Sequence, residues 1–361
     1  IAGFNQGLLS SKGIGVVYIV ATTTSFIVVI LLIIRGVGIY AIPISTIVSS
    51  LILIVGNIIY TIYRSNKEAI KLKYSFGYSF LLLKLASYNA IGRLGNILTT
   101  KIDAFITARY IGIEFVPILE LTKKGPELSK MFLERPVVAF QPAFTHSWNS
   151  NEKARAVNYF LKLLRIIIWF SGLLFIGFLI LNSVFVKLWA GDNLFAGNTV
   201  NLFICIGIVL SLVVNIFSKI LFSIGRIKLT SYLLFMQSMI TGISIYLGGK
   251  YFGMLGLVVG NVIAYTIYSL WLFPMKTFNI MMLTKRAGDL LYEILKVSLI
   301  IIIIYYLFSH VELQYTWGWF IGYLVLIMSC YCILLYIFSM SFRNEISNVV
   351  IQLIKIIKFK N

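Results

Sequence analysis

Ile14–Ile34 carries no charged side chain. As a helix it spans a hydrocarbon core of about 30 Å, which takes about 20 residues at 1.5 Å each. Further apolar runs of similar length follow along the chain. A bilayer admits only helices or closed barrels, because every backbone donor and acceptor must be satisfied within the protein. Barrel strands would alternate apolar and polar over about ten residues, and neither Ile14–Ile34 nor Thr199–Phe222 does so. The chain is therefore expected to be an all-α integral membrane protein. Apolar residues make up 60% of it and charged ones 12%, against roughly 45–50% and about 25% in soluble domains, which excludes a soluble globule.

Ten spans are expected, at 14–34, 39–63, 79–107, 112–148, 160–186, 199–222, 229–247, 253–274, 295–310 and 318–338. Residues 1–11 read as the end of a preceding helix. Ile1 follows no basic start or small-residue cleavage site, so it is expected to lie inside a longer protein. Cys205, Cys330 and Cys332 all fall in apolar runs and are expected to be buried free thiols.

Lys and Arg residues alternate between the loops. One set holds Lys12, the Arg64–Lys73 loop, the Lys153–Arg165 segment, Arg226 and Lys228, the Lys276–Lys296 segment and the tail from Arg343 to Lys360. The other holds only Arg35, Arg109, Lys187 and Lys250. By the positive-inside rule the first set is cytoplasmic, the C-terminus with it. The formal net charge of +19 thus belongs to membrane topology, and no nucleic-acid partner is implied. Membrane lipids are the partner that it does imply. The tail Phe342–Lys360 has the spacing of an amphipathic helix lying on the inner surface.

The parity forces one surprising crossing. Arg109 and Lys153 fall on opposite sides, so the chain must cross once between them, although Glu120–Arg135 is dense with charge. Ser79–Trp148 holds eight basic and five acidic residues. At the bilayer centre each charge facing lipid would cost about 2.5–3.5 kcal/mol, so these side chains must pair or line a wet cavity.

Two polar stripes result. Asn89, Arg93, Asn96, Thr100, Asp103 and Thr107 are separated by alternating steps of four and three, which places them on one helix face. Arg93 lies about 21 Å into its span and has no acid close to it on that helix. Glu120, Lys123, Glu127, Lys130 and Glu134 form the second stripe, in which Glu120–Lys124, Lys123–Glu127 and Lys130–Glu134 are expected i,i+4 pairs. Gly125-Pro126 and Pro136 predict a kinked or broken helix there. Arg93, Asn89, Asn96, Lys123, Lys130 and Arg135 are the candidates for binding an anionic substrate. Arginine holds phosphate oxygens through two parallel hydrogen bonds. Asp103, Glu120 and Glu127 are the candidates for carrying a coupling ion. No phosphate-binding loop, dinucleotide fingerprint or zinc motif occurs, so neither a cofactor nor a catalytic centre is expected.

Lys101–Gly112 (KIDAFITARYIG) and Ala139–Thr145 (AFQPAFT) resemble helices seven and eight of bacterial polysaccharide repeat-unit flippases. These are the O-antigen (Wzx) type within the multidrug/oligosaccharidyl-lipid/polysaccharide exporter superfamily. Lys187–Gly191, Ser223–Lys228 and Tyr251–Gly256 resemble further family segments. The resemblance implies a partial two-lobe exporter fold: residues 1–63 complete an N-terminal lobe, 64–78 are the inter-lobe linker, 79–274 form a six-helix C-terminal lobe, and 275–361 add two helices and the basic tail. It also implies an undecaprenyl-pyrophosphate-linked oligosaccharide as substrate, moved across the bacterial inner membrane by alternating access between rocking lobes. A polysaccharide polymerase and a chain-length regulator are the implied protein partners. A lipid II flippase, an ion-coupled drug exporter of the same fold and a non-transporting scaffold for polysaccharide assembly stand as alternatives. The net basic charge of Ser79–Trp148 disfavours cationic drugs.

Overall fold

The computed structural model describes residues 11–67, 101–150, 152–283, 286–311 and 314–347, together with single positions between 76 and 95. Every regular element among them is helical. The chain divides into two compact units, residues 1–81 and 82–361.

The first unit contains α1 (Ser11–Ile34) and α2 (Ala41–Lys67). Gly36 (φ 76°) and Gly38 (φ 61°) turn the chain between them in a conformation that side chains disfavour. The two helices pack antiparallel, with Val17 against Gly56. Ser25 Oγ donates to Ser45 O at 3.2 Å.

The second unit begins, among described segments, with α3 (101–111), whose last turn Thr107–Ile111 is a π turn. Next come α4 (Phe115–Asn149), α5 (Lys153–Ala190), α6 (Asn198–Ser223) and α7 (Ile227–Ala264). A π turn at Tyr265–Ser269 leads into α8 (Leu270–Met281), followed by α9 (Ala287–Phe308) and α10 (Trp317–Phe338). Six helices, α1, α2, α5, α6, α9 and α10, are each long and apolar enough to cross a membrane, as is the segment Ile227–Met281. That segment is 55 residues long and reverses at Gly253 (φ 63°, ψ −150°), so it makes two crossings. The Gly256–Gly260 spacing serves this reversal: Gly256 lies against the Gly248 carbonyl and Gly260 against that of Ser244, with no room for a Cβ. Of the ten expected spans, 79–107 lies mostly outside the described residues, and α4, which carries the charged stripe, is not among the helices apolar enough to cross on composition alone.

α4 traverses its unit from end to end. Leu119 packs with Ile106, Val200, Ile245 and Leu257, near the end that carries Arg109 and Lys250. Val137 and Phe144 pack with Ala156, Phe160 and Leu283, toward the strongly basic end. Loop-charge parity demanded this crossing.

The expected break in α4 does not occur. The helix runs through Pro126, Pro136 and Pro142 without interruption. Pro126 has no N–H to offer the carbonyl of Thr122, four residues back. The fully buried Asn182 of α5 donates its Nδ2 to that carbonyl at 2.8 Å and to Asn201 Oδ1 of α6 at 2.6 Å. Asn201 Nδ2 in turn donates to Phe178 O at 3.0 Å. A side chain from the next helix thus replaces the missing backbone donor.

α5 is the spine of the unit. One face joins α4 and α6 in the main apolar cluster, and another buries Trp169, Ile176 and Ile180 against α9 and α10. The buried carboxylate of Glu293 pins these last helices. It accepts from Trp169 Nε1 (3.3 Å), Ser339 Oγ (2.9 Å) and Lys296 Nζ (3.2 Å). Just past α10, Lys162 and Glu345 form an ion pair at 2.5 Å. The amphipathic tail lies mostly outside the described residues. The three thiols are free, but only Cys205 is buried: Cys332 is exposed on an apolar helix, as a bilayer-facing position allows.

Candidate functional site

The charged stripe of α4 pairs with two neighbouring helices as well as with itself. Lys123, nearly buried, directs its ammonium onto the carboxylate of Asp103 in α3 and lies 3.4 Å from Glu120. The expected Lys123–Glu127 pair is not formed. Although four residues apart is a good spacing on an isolated helix, the packed lobe presents Asp103 from across the interface and the ammonium turns to it. Asp103 thus has its partner in the second stripe.

Three turns further along, Glu134 accepts from Asn215 Nδ2 at 2.8 Å and from Lys219 Nζ at 3.1 Å, both in α6. Lys130 lies 3.9 Å from the same carboxylate, so the expected i,i+4 pair is present but is the looser of its contacts. Gln141 Nε2 extends the network to Lys219 O (3.1 Å) and Ser223 Oγ (3.3 Å). Sequence reasoning missed Lys219 and Asn215. The available signal was a lone lysine inside an apolar run, since a charge there needs a partner.

Between the two clusters lies a cleft of roughly 110 Å³ lined by Asp103, Lys123, Glu127, Lys130, Asn261 and Tyr265 among others. At about 30 Å³ per molecule it has room for a few waters, with the polar partners that waters need. Its four charges, two acidic and two basic, balance, so this cleft is not the cationic cavity that the net charge of the stretch suggested. Glu127 is exposed and forms no ion pair among the described residues. Arg135, likewise exposed and without an ion pair among them, is the sequence candidate on α4 whose charge stays available. Asn89, Arg93 and Asn96 lie outside the described residues.

In chemical terms, the site is a set of exchangeable ion pairs within the helical unit, beside a cleft with room for water. An incoming anion can take Lys123 or Lys130 only by displacing a carboxylate. A proton arriving at Asp103 or Glu134 would release the lysine that it holds.

The profile of a family described as polysaccharide biosynthesis protein matches residues 6–195. No curated protein matches the sequence. Among solved structures, the chain is similar to the lipid II flippase MurJ in an inward-closed conformation. The TM-score is 0.62 at 16% identity, covering 90% of this chain and 67% of that one. At that identity the likeness establishes the fold alone, an all-α one shared with that membrane protein.

Proposed function

The chain belongs to the polysaccharide biosynthesis protein family, and on that premise we propose that it is a flippase for an undecaprenyl-pyrophosphate-linked oligosaccharide. The cargo is an O-antigen or capsule repeat unit, crossing the bacterial inner membrane by alternating access. One observation carries the reading: one long helix bears five charges on one stripe, two of which, Lys123 and Glu134, reach partners on two other helices around a polar cleft. A merely structural crossing would be cheaper if apolar, because breaking even with buried ion pairs takes excellent geometry.

In this reading Arg93, flanked by Asn89 and Asn96, and Arg135 hold the pyrophosphate or an acidic sugar by charge-assisted hydrogen bonds. Lys123 and Lys130 join them when their carboxylates let go. Asp103, with Glu120 and Glu127, is the coupling group, since protonating it frees Lys123. Cargo binding and coupling are then one exchange of partners. Nothing in this cycle makes or breaks a covalent bond, so the reading assigns no enzymatic step and no cofactor. Loop charges orient the chain with Lys153, Arg226 and the C-terminus cytoplasmic. A polysaccharide polymerase and a chain-length regulator are the partners that a repeat-unit carrier would serve.

The test is Arg93→Glu in the full-length protein, scored as surface polysaccharide in a strain lacking the gene. Loss of polymer at unchanged protein level is expected, and normal polymer would refute the binding role. Lipid II is a second reading, favoured by the named activity of the similar structure. Rescue of a strain depleted of its lipid II flippase, without rescue of the polysaccharide strain, would select it.

A further inference from the structure

Where α3 ends and α7 reverses, three tyrosines and two cations gather on the surface. Tyr110 and Tyr246 meet edge to face, with ring centroids 5.7 Å apart and hydroxyls at 3.4 Å. Lys250 Nζ stands 5.8 Å from the Tyr246 centroid and 5.2 Å from that of Tyr251. Arg109 precedes Tyr110 in the chain. All five residues are exposed or nearly so.

Isolated tyrosines and lysines are ordinary at a membrane interface, but three observations set this group apart. The sparse set of basic residues has only four members, and two of them converge here. Neither Arg109 nor Lys250 forms an ion pair among the described residues, and Lys250 stands beside two tyrosines where Lys187 has one, Tyr315. Finally, Tyr110 follows Thr107 by three residues and so extends the polar face through Arg93 and Asp103 to the end of its helix. The turn that presents Tyr110 is the π turn Thr107–Ile111, a departure from α geometry often found at functional positions.

Such a surface has a definite complement. An aromatic ring offers a flat apolar face to the C–H groups of a pyranose, the tyrosine hydroxyls bond to sugar hydroxyls, and two cations without carboxylate partners call for an anion. We propose that Tyr110, Tyr246 and Lys250, with Tyr251 and Arg109 beside them, form a subsite for an acidic sugar of the carried oligosaccharide. The subsite lies on the side that loop charges make outer, where cargo leaves. This assignment rests on the flippase reading above for its cargo and adds that the glycan contains a uronic or similar acid.

The test uses the full-length protein in phosphatidylcholine nanodiscs, titrated with tetragalacturonate and, as a neutral probe, maltotetraose. Tetragalacturonate is expected to bind about tenfold more tightly than maltotetraose, and Lys250→Gln or Tyr246→Ala to remove most of that margin, one charge-assisted contact being worth about that factor. Tyr246→Phe, which keeps the ring, is expected to stay within about twofold of wild type. Absence of tetragalacturonate binding, or equal binding by wild type and Lys250→Gln, would overturn the subsite. So would loss of binding on adding phosphatidylglycerol, which would make the cluster a lipid anchor. Translocation of a lipid-linked oligosaccharide in proteoliposomes is measured alongside. Translocation without tetragalacturonate binding overturns the subsite alone, and binding without translocation overturns the flippase reading alone.

Discussion

Two carboxylates buried in this helical unit face opposite fates. Asp103 meets Lys123 across the α3–α4 interface and opens on a cleft with room for water. Glu293 also has a lysine, Lys296, but takes two further side-chain donors, from Trp169 and Ser339. The contrast separates a pair that can exchange partners from a fully satisfied knot that holds α9 and α10 on α5. A carboxylate near water with one charged partner, beside its bond from the Ala104 amide, is poised to change it; one with side-chain donors from three elements is a clamp.

Removing a partner on the exchangeable side should have the largest effect. Lys123→Met leaves the largely buried Asp103 without its ammonium and is expected to cost about 3–5 kcal/mol of stability. Thermal unfolding in detergent measures it. Adding Asp103→Asn should restore much of the stability but not the transport, and a double variant that transports normally would reduce the pair to a structural role.

On the clamped side, Glu293→Leu strands three donors at about 1–3 kcal/mol in stability. Surface polysaccharide per folded molecule should not change. A transport defect larger than the loss of folded protein would erase the distinction between the regions.

The smallest effect tests how α4 survives its proline. Asn182→Leu should cost about 1 kcal/mol by orphaning the Thr122 carbonyl, and Pro126→Ala should cancel most of that loss by restoring the backbone donor. A double-mutant cycle in thermal stability reads the coupling. Additive effects would mean that Asn182 acts elsewhere.

Lys187 and Lys250 sit at the same end of the molecule and were equally visible as sparse basic residues. Only the packing distinguished them, by giving Lys187 one tyrosine, Tyr315, and Lys250 two, Tyr246 and Tyr251. The same limit applies along α4. Spacing identified Glu120, Lys123, Glu127, Lys130 and Glu134 as one stripe at membrane depth, but it assigned partners within the helix. Lys219 and Asn215 went unnoticed because their run is otherwise apolar, and Asn182 because nothing local says which carbonyl an asparagine will find sixty residues away.

What the sequence determined by itself was the all-α membrane class and the stretch in which charge is concentrated. Span length and loop charge are one-dimensional quantities, and the bilayer converts them directly into topology. It also fixed the resemblance through which the exporter fold was expected. What only the tertiary structure decided was who pairs with whom: Asp103 with Lys123, Glu134 with Lys219, Asn182 with the carbonyl that Pro126 leaves open, Tyr110 with Tyr246. Inside a membrane every polar group must find a partner, and distance through space, which sequence spacing does not encode between helices, selects it.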